Sequence, residues 1–432
     1  MTRIRRHLPG LGLILLTAFL LRLLWIAYVQ PDPTDGRFDD TAWYRGSAHF
    51  FSLGEGYLNP YSGTPTAAWP PGYPAFLGTI FRLFGEGVWQ TASANLVLAV
   101  ATVVVVYGIG LLLFDRRTAL VAAGTVALWP GQIFFTSLTL SEPLFTFLFT
   151  LAVLLMLAVP RVSSWRGGMI IAFGAVTALA VFTRGQAVLL IPLALAAWGM
   201  SGFRWRPALG WVMLASAVVA IMLLPWAARN EREIGSPVAV ATNFGPNLWI
   251  GNHTGATGRM NIPEVEPPQA SRAGLTQGEY EVKTSNLALR KGLRYVFTHP
   301  TREVELAGIK VRAMYEADST ALDWNAAYHP DYYASQSLEE GLRSLANGYW
   351  FAMLILSAAG LIASRTRLNG PLGVLPILVM TWTAFHLLFF GDSRFHYPIV
   401  FAFALLGSRG LLVVFDALRH PQAIARKRYA AA

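Results

Sequence analysis

The chain has 432 residues, of which 54% are hydrophobic and 13% charged, and its mean hydropathy is +0.45. A soluble domain carries roughly 25% charged residues, so the composition excludes an ordinary soluble protein and indicates an integral membrane protein. The net charge of +10 does not indicate nucleic-acid binding, because the basic residues lie in short loops between apolar segments. The chain has no cysteine, which excludes disulfides and cysteine-bound metals.

Ten apolar segments approach the ~20 residues that a helix needs to cross a bilayer. They lie near residues 8–29, 90–114, 119–135, 142–159, 168–183, 185–200, 208–227, 347–363, 371–390 and 395–415. The first follows the basic sequence MTRIRRH, and we interpret it as an uncleaved span rather than a signal peptide. A re-entrant or tilted course is an alternative for 119–135 and for the pair of segments around Arg184.

The loops between these segments alternate in charge. Arginine and lysine concentrate in the N-terminus, 115–118, 160–167, 201–207, 364–370 and the tail 416–432. The positive-inside rule predicts that this set is cytoplasmic, with both chain termini, which agrees with an even number of spans. Two long segments, 30–89 and 228–346, then face outwards, as do short turns near 136–141, 184 and 391–394. We therefore predict one all-α polytopic membrane domain over residues 1–432.

Both long outer segments contain apolar patterns that predict interfacial helices. Residues 75–85 indicate a short apolar helix at the membrane surface. Residues 279–316 are amphipathic, and Pro300 is expected to divide them into two helices.

Adjacent carboxylates, Asp39 and Asp40, lie in the first outer segment, and Tyr44 would share a helix face with Asp40. An alcohol is a poor nucleophile near neutral pH, and a carboxylate within hydrogen-bond reach can act as its general base. The alternative is that these acids cap a helix or are simply solvated.

Glu142 follows Ser141 and precedes Pro143 at the start of a predicted span. Ser141 is expected to cap that helix, and Pro143 suits its first turn. Capping does not require the glutamate, so Glu142 is a candidate to orient an acceptor or an arginine.

Arg184 and Arg394 lie in outer turns, where the positive-inside rule does not place cations. Guanidinium groups bind phosphate oxygens in a fixed fork, so both are candidates for a phosphate site. A pair with Asp392 or a lipid headgroup is the alternative.

Arg22, inside the first span, is expected to pair internally or to snorkel. His386 and His396 fit packed, hydrogen-bonded residues better than ligands. No metal-ligand spacing occurs, although Asp39, Asp40 and Glu142 could converge on one cation.

Several of these stretches form an ordered set of motifs. A D-x-x-x-Y-x-x-x-A pattern begins at Asp40, and a W-P-P-G-Y-P turn occupies 69–74. A T-R-P-like turn at 183–185 has glycine in place of the proline. The remaining motifs lie at 114–117, 141–145, 225–230, 242–252 and 394–398. Together they resemble the GT-C superfamily of membrane glycosyltransferases, in the branch of protein O-mannosyltransferases and lipid A aminoarabinose transferases. The resemblance covers about residues 1–415.

The resemblance implies a GT-C fold that transfers a sugar from a polyprenyl-phosphate carrier to an extracytoplasmic acceptor, usually by one inverting displacement. It implies that Asp40 is the base, with Asp39 as a second candidate. Glu142 would shape the acceptor site, and Arg184 and Arg394 would neutralise the leaving phosphate. The expected pocket residues are Tyr44, Trp69, Asn247, His396 and Tyr397.

The implied partners are the lipid-linked donor, the acceptor and membrane lipid, and the implied location is a bacterial inner membrane with the active site outside. No cofactor is expected, although some members of the superfamily use a divalent cation. A transporter or lipid flippase is the main alternative. It would place ionisable residues and broken helices near the middle of spans. A scaffold that binds a partner through 228–346 is a third.

Overall fold

The computed structural model describes residues 8–30, 39–260, 268–328 and 336–419. Over these ranges the protein is helical, and its β-structure consists of two isolated bridges. The predicted all-α fold is therefore confirmed. The basic N-terminal sequence and most of the tail 416–432 lie outside the described residues, as do parts of both long outer segments.

The α-helices are, in chain order, α1 (Leu8–Val29), α2 (Asp40–Leu53), α3 (Gly72–Phe84), α4 (Val88–Leu113), α5 (Arg116–Leu128), α6 (Pro130–Phe134), α7 (Glu142–Ala158), α8 (Arg166–Thr183), α9 (Leu190–Met200), α10 (Trp205–Ile234), α11 (Phe244–Gly251), α12 (Gln277–Thr298), α13 (Pro300–Tyr315), α14 (Thr320–Tyr328), α15 (Gln336–Ala363), α16 (Val374–His386) and α17 (Val400–Arg419). Short 3₁₀ turns extend α6, α7, α9, α16 and α17.

All ten predicted apolar segments form helices. Seven of them (α1, α4, α7, α8, α10, α15 and α17, with their 3₁₀ extensions) are long and apolar enough to cross a membrane within the described ranges. The segment 119–135 is a pair, α5 and α6, bent by 54°. The helices Gly185–Met200 and Pro371–His386 are apolar but shorter. The protein is a multi-pass membrane protein.

The bend between α5 and α6 has a cause in the sequence. Pro130 has no N–H to donate to the carbonyl of Val126, and the end of α5 also leaves the carbonyl of Ala127 without a helical donor. Arg22 of α1 donates to both carbonyls, and Val126 O also accepts the Trp129 backbone N–H at 3.3 Å. Arg22 Nη2 donates to Val126 O at 3.2 Å and its Nη1 to Ala127 O at 2.9 Å, in a fully buried position. The expected internal pairing of Arg22 is confirmed, with carbonyls as the partners.

The chain after the bend is held by side chains from neighbouring helices. Trp25 Nε1 donates to Phe134 O at 3.3 Å, and Asn95 Nδ2 donates to Leu138 O at 2.8 Å. Backbone groups buried in a membrane domain need such partners, because water does not reach them. These hydrogen bonds stabilise the irregular chain that leads to Glu142, where α7 begins.

Two long helices, α15 and α17, pack closely through glycines. A Cβ atom at Gly360 would lie 1.9 Å from Leu406 O, and one at Gly410 would lie 2.0 Å from Leu356 O. Small residues at such a crossing allow two backbones to approach closely, which is how membrane helices gain packing energy. The contact fixes α17, and the chain leading into it carries Arg394.

Basic loops gather at the end of the bundle where α4 finishes. Arg161 Nη2 donates to Leu112 O at 2.5 Å and Arg367 Nη2 donates to Leu113 O at 2.7 Å. Arg117 pairs with Asp416 at 3.0 Å. The alternation of basic and acid-bearing loops read from the sequence therefore corresponds to two ends of one helical bundle.

The helices predicted in the two long outer segments are present. Residues 75–84 lie in α3, with Gly85 as its C-cap, and α12 and α13 are separated at Pro300, as the sequence predicts. A capping box between Thr276 and Glu279 begins α12.

Arg22→Met should lower the temperature of unfolding in detergent. The change removes the side-chain donor of Ala127 O and one of the two donors of Val126 O, and an unsatisfied buried group costs about 1–3 kcal/mol. Arg82→Met, at an exposed position on α3, is the control. Equal unfolding temperatures for the two variants in a thermal-shift measurement would contradict this account of the bend.

Candidate functional site

Asp39 and Asp40 have different surroundings although they are adjacent. Asp39 is the N-cap of α2, and its Oδ1 accepts the backbone N–H groups of Thr41 and Ala42 at 3.0 and 3.1 Å. Its Oδ2 accepts the hydroxyl of Tyr328. The helix-cap alternative thus describes Asp39. Asp40 is the first residue of the helix, and its side chain remains 21% exposed.

Arg394 approaches Asp40 from the chain that leads into α17. Its Nη1 donates to Asp40 Oδ2 at 2.9 Å. Asp392, the partner considered from the sequence, lies 3.7 Å from Arg394 Nε and uses its other oxygen to accept the Arg394 backbone N–H. The Arg394 side chain is only 9% exposed, and its Nε–H has no hydrogen-bond partner among the described residues. Asp40 is therefore its closest charge partner.

A second acid–arginine pair lies at the start of α7. Arg184 Nη2 donates to Glu142 Oε1 at 2.5 Å, and Glu142 is fully buried. Arg184 Nε donates to Ser141 Oγ at 3.0 Å. Glu142 thus orients an arginine, one of the two roles left open by the sequence. The expected helix cap by Ser141 is wrong, since its hydroxyl makes no capping bond and serves this pair instead.

Tyr44 connects the two pairs. It lies one turn after Asp40 on α2, and its hydroxyl donates to Ser141 Oγ at 3.3 Å. Burial raises the pKa of this hydroxyl; the negative charges of Asp40 and Glu142 raise it further, while Arg184 opposes them. Tyr44 therefore remains a protonated donor, and the two pairs are near enough to act on the same group.

The W-P-P-G-Y-P turn packs directly on the chain that holds Arg184. A Cβ atom at Gly72 would lie 2.7 Å from the carbonyl carbon and oxygen of Phe182. A larger residue at this position would displace one of the two backbones. The glycine of the motif thus sets the distance between the first outer segment and Arg184.

A cluster of aromatic side chains forms between α2, which begins at Asp40, and the segment that follows it. Trp43 and Trp69 pack with ring centroids 4.2 Å apart, and Tyr57 links them by accepting from Trp43 Nε1 and donating to Trp69 O. Tyr61, 48% exposed, packs edge-on against Trp43. Partial burial raises the pKa of Tyr61, and the charges of Asp39 and Asp40 raise it further. From α14, the Trp324 ring lies 5.9 Å from the Arg394 guanidinium carbon.

Glu281 of α12 holds the two long outer segments together. Its carboxylate accepts Thr66 Oγ1 at 2.5 Å and Ala67 N at 3.0 Å from the first segment, and Thr242 Oγ1 at 2.8 Å from the second. Arg229 donates to Thr66 O at 2.7 Å. The motifs that contain Arg229 and Thr242 thus meet at one partly buried junction, a few residues before Trp69 in the first segment.

The pocket residues expected from the sequence have different surroundings. Tyr44 and Trp69 lie at the site. Asn247 lies on α11, and no hydrogen bond joins its side chain to either acid–arginine pair within the described ranges. His396 is fully buried, with Nδ1 bonded to Met314 O at 2.6 Å and Nε2 to Asp318 Oδ1 at 3.0 Å. Tyr397 is also buried. The pocket role of His396 and Tyr397 stays a prediction.

Other residues at the site gave no signal in the sequence. Trp324 and Tyr328 are nearly three hundred residues from Asp40 in the chain, and Glu281 is one of several charges on an amphipathic helix. Only the three-dimensional fold brings them together.

The carboxylates considered as metal ligands do not converge. Asp39 accepts from backbone, Asp40 from Arg394 and Glu142 from Arg184. The part of the chain that the structure describes contains no group of three or more metal-ligating side chains.

Comparisons with known proteins agree with this architecture. Residues 68–228 match the family of dolichyl-phosphate-mannose-protein mannosyltransferases. The Archaeoglobus fulgidus oligosaccharyltransferase, tethered with an acceptor peptide, is similar over 97% of this chain and 50% of its own, with 18% identity and a TM-score of 0.55. The same archaeal enzyme, AglB, in complex with an inhibitory peptide and a dolichol-phosphate, gives 16% identity, 98% and 52% coverage and a TM-score of 0.55.

A third similar structure is ArnT from Cupriavidus metallidurans bound to undecaprenyl phosphate, with 16% identity, 96% and 81% coverage and a TM-score of 0.42. The chain spans about half the length of the oligosaccharyltransferase chains that it matches. No curated protein sequence matches it. The chain therefore shares its fold with the archaeal oligosaccharyltransferase over almost its whole length.

Glu281→Ala should loosen residues 57–69 without unfolding the protein. Thr66, Ala67 and Thr242 lose the carboxylate that accepts their hydrogen bonds. The turn that contains Trp69 then has no hydrogen bond to this residue of α12. We expect faster amide hydrogen exchange in 57–69, measured by mass spectrometry. Lys283→Ala, an exposed change two residues away, should leave this exchange as in the wild type. Unchanged exchange in both variants would show that Glu281 does not hold the junction.

Proposed function

We propose that the protein transfers a hexosyl or pentosyl group from a polyprenyl phosphate to a hydroxyl group of an extracytoplasmic acceptor, with Asp40 as general base. One observation carries the proposal. A partly exposed carboxylate, Asp40, lies 2.9 Å from a buried guanidinium, Arg394, whose Nε–H has no partner among the described residues. The family match over 68–228 and the shared fold support it.

The chemistry needs a base on one side of the sugar and an anion site on the other. The acceptor oxygen would bond to the anomeric carbon while its proton passes to Asp40 Oδ1 or Oδ2. The bond between the anomeric carbon and the phosphate oxygen would break, and its electron pair would remain on the phosphate. A single displacement of this kind inverts the anomeric configuration.

Arg394 and Arg184 would stabilise the departing phosphate. The second negative charge on this phosphate develops as the bond breaks, so cations that are already in place stabilise the transition state more than the ground state. Glu142, Ser141 and Tyr44 would keep the Arg184 guanidinium in position, because each of them bonds within this group.

Asp40 is a better candidate for the base than Asp39. Both oxygens of Asp39 accept hydrogen bonds from the protein, two from the start of α2 and one from Tyr328. Asp40 accepts from Arg394 through Oδ2 and is partly exposed. An acceptor hydroxyl could therefore reach Asp40 without breaking the helix cap.

The membrane fold suits a lipid-linked donor. A polyprenyl chain can remain in hydrocarbon beside the spans while its phosphate reaches the polar end of the bundle. The basic loops at the other end support an extracytoplasmic site, in the bacterial inner membrane, through the positive-inside rule. A transporter would instead use carboxylates midway along its spans, whereas Asp40 and Glu142 lie at helix starts.

Asp40→Asn should reduce sugar transfer by about 10²–10⁴-fold, the usual contribution of a general base. Asp39→Asn is the matched control, because asparagine remains a good helix cap, and its activity should fall less than tenfold. The assay uses purified protein in lipid, a panel of polyprenyl-phosphate sugars and a membrane extract as acceptor. Wild-type turnover by Asp40→Asn, or a larger loss in Asp39→Asn, would reject Asp40 as the base.

A further inference from the structure

Arg394 bonds one anion, the carboxylate of Asp40, through one side of its guanidinium group. Its Nη1 donates a hydrogen bond to Asp40 Oδ2 at 2.9 Å. The opposite edge of the guanidinium, formed by Nε and Nη2, has an Nε–H without a partner in the described part of the chain. That side chain is 9% exposed, so water compensates little for the missing acceptor.

Asp392 does not fill this edge. Its Oδ2 lies 3.7 Å from Arg394 Nε, beyond hydrogen-bond distance, because its Oδ1 accepts the Arg394 backbone N–H at 2.9 Å. The Nε edge therefore presents a buried donor with the spacing that matches two oxygens of one phosphate.

We propose that Arg394 couples the two substrates: the donor phosphate binds the Nε edge of its guanidinium, and this weakens the hold of Arg394 on Asp40 and makes Asp40 a stronger base. The inference rests on the proposed function of this site. Binding of the donor would thereby make Asp40 a stronger base. Without a donor, the acceptor would bind beside an Asp40 carboxylate that is still paired with Arg394.

The charge of Arg394 sets the direction of the effect on Asp40. A cation within about 4 Å favours the ionised carboxylate and makes it a poorer proton acceptor. A phosphate on the other edge of the same guanidinium offsets that cation, so the carboxylate binds a proton more readily. Arg394 does not have to release Asp40, because Nη1 and the Nε edge are on different sides of one planar group. Neighbouring atoms must move to admit the phosphate, since Nε has almost no exposed surface.

The other ionisable groups around Asp40 are accounted for. Asp39, on the same helix, is bonded by Tyr328 and by the α2 backbone, and Tyr44 lies one turn along α2. Tyr61 lies in the first outer segment, and Asp392 lies beside Arg394. The Glu142–Arg184 pair lies beyond Tyr44. Of the described cations, Arg394 is the one that bonds the Asp40 carboxylate.

Carbodiimide labelling of Asp40 tests the coupling without turnover. Carbodiimides react with the protonated carboxyl group, so the pH at half-maximal labelling reports the proton affinity of Asp40. Full-length protein in nanodiscs is labelled across a pH series in an Asp39→Asn background, which assigns the product to Asp40. The label is quantified by mass spectrometry with undecaprenyl phosphate, with neutral undecaprenol, and without added lipid.

We expect undecaprenyl phosphate to raise the midpoint by about one pH unit, the effect of offsetting one adjacent charge, and undecaprenol to leave it unchanged. Steric protection alone would lower the maximal labelling and leave the midpoint in place. In Arg394→Gln the midpoint should be high already and insensitive to the lipid. Arg45→Gln, which removes a half-exposed cation of α2 paired with Glu86, should respond as the wild type does.

Two results would overturn the coupling. Undecaprenyl phosphate that binds, as measured by retention in native mass spectrometry, without moving the midpoint would contradict the coupling and leave the proposed transferase function intact. A protein that retains no polyprenyl phosphate at all would contradict both.

Discussion

The ion pair between Asp40 and Arg394 joins residues 354 positions apart in the chain and defines the polar end of the bundle. A buried charge pair is costly to form, and it is worth that cost where the charges are needed for binding or chemistry. Three parts of the fold hold it: the Asp39 cap orients the first turn of α2, the Asp392 turn orients Arg394, and the glycine crossing of α15 and α17 fixes the helix that follows. The second pair, Glu142 with Arg184, is linked to it through Tyr44 and Ser141.

Irregular backbone lies next to each of these residues. Side chains from neighbouring helices form hydrogen bonds with its polar groups. The bend at Pro130 brings the chain to Glu142, and Arg22 bonds the carbonyls that the bend exposes. Gly72 lets the first outer segment touch the chain before Arg184. Glu281 binds the first outer segment to the second. The broken helix, a feature that could have indicated a transporter, here serves to place a glutamate at the start of a span.

The sequence predicted the ten helical segments, the division at Pro300 and the all-α membrane fold, because apolar length and proline breaks are local signals. It also selected Asp40, Glu142, Arg184 and Arg394, since charges at the ends of apolar segments are conspicuous. It did not predict that they form two pairs, or that Ser141 bonds Arg184 rather than capping α7. Trp324, Tyr328 and Glu281 could not be found, because their positions depend on how distant loops pack. His396 and Tyr397 belong to a recognisable motif and are buried, and their place in the pocket stays a prediction.

The central claim is that the two arginines form the phosphate site beside Asp40. Cryo-electron microscopy of the protein in nanodiscs with undecaprenyl phosphate tests it most directly. The account predicts phosphate density within hydrogen-bond distance of Arg394 Nε and beside the Arg184 guanidinium, with the polyprenyl chain leaving between the spans. Phosphate density bound away from both arginines, with the Asp40–Arg394 pair undisturbed, would contradict it.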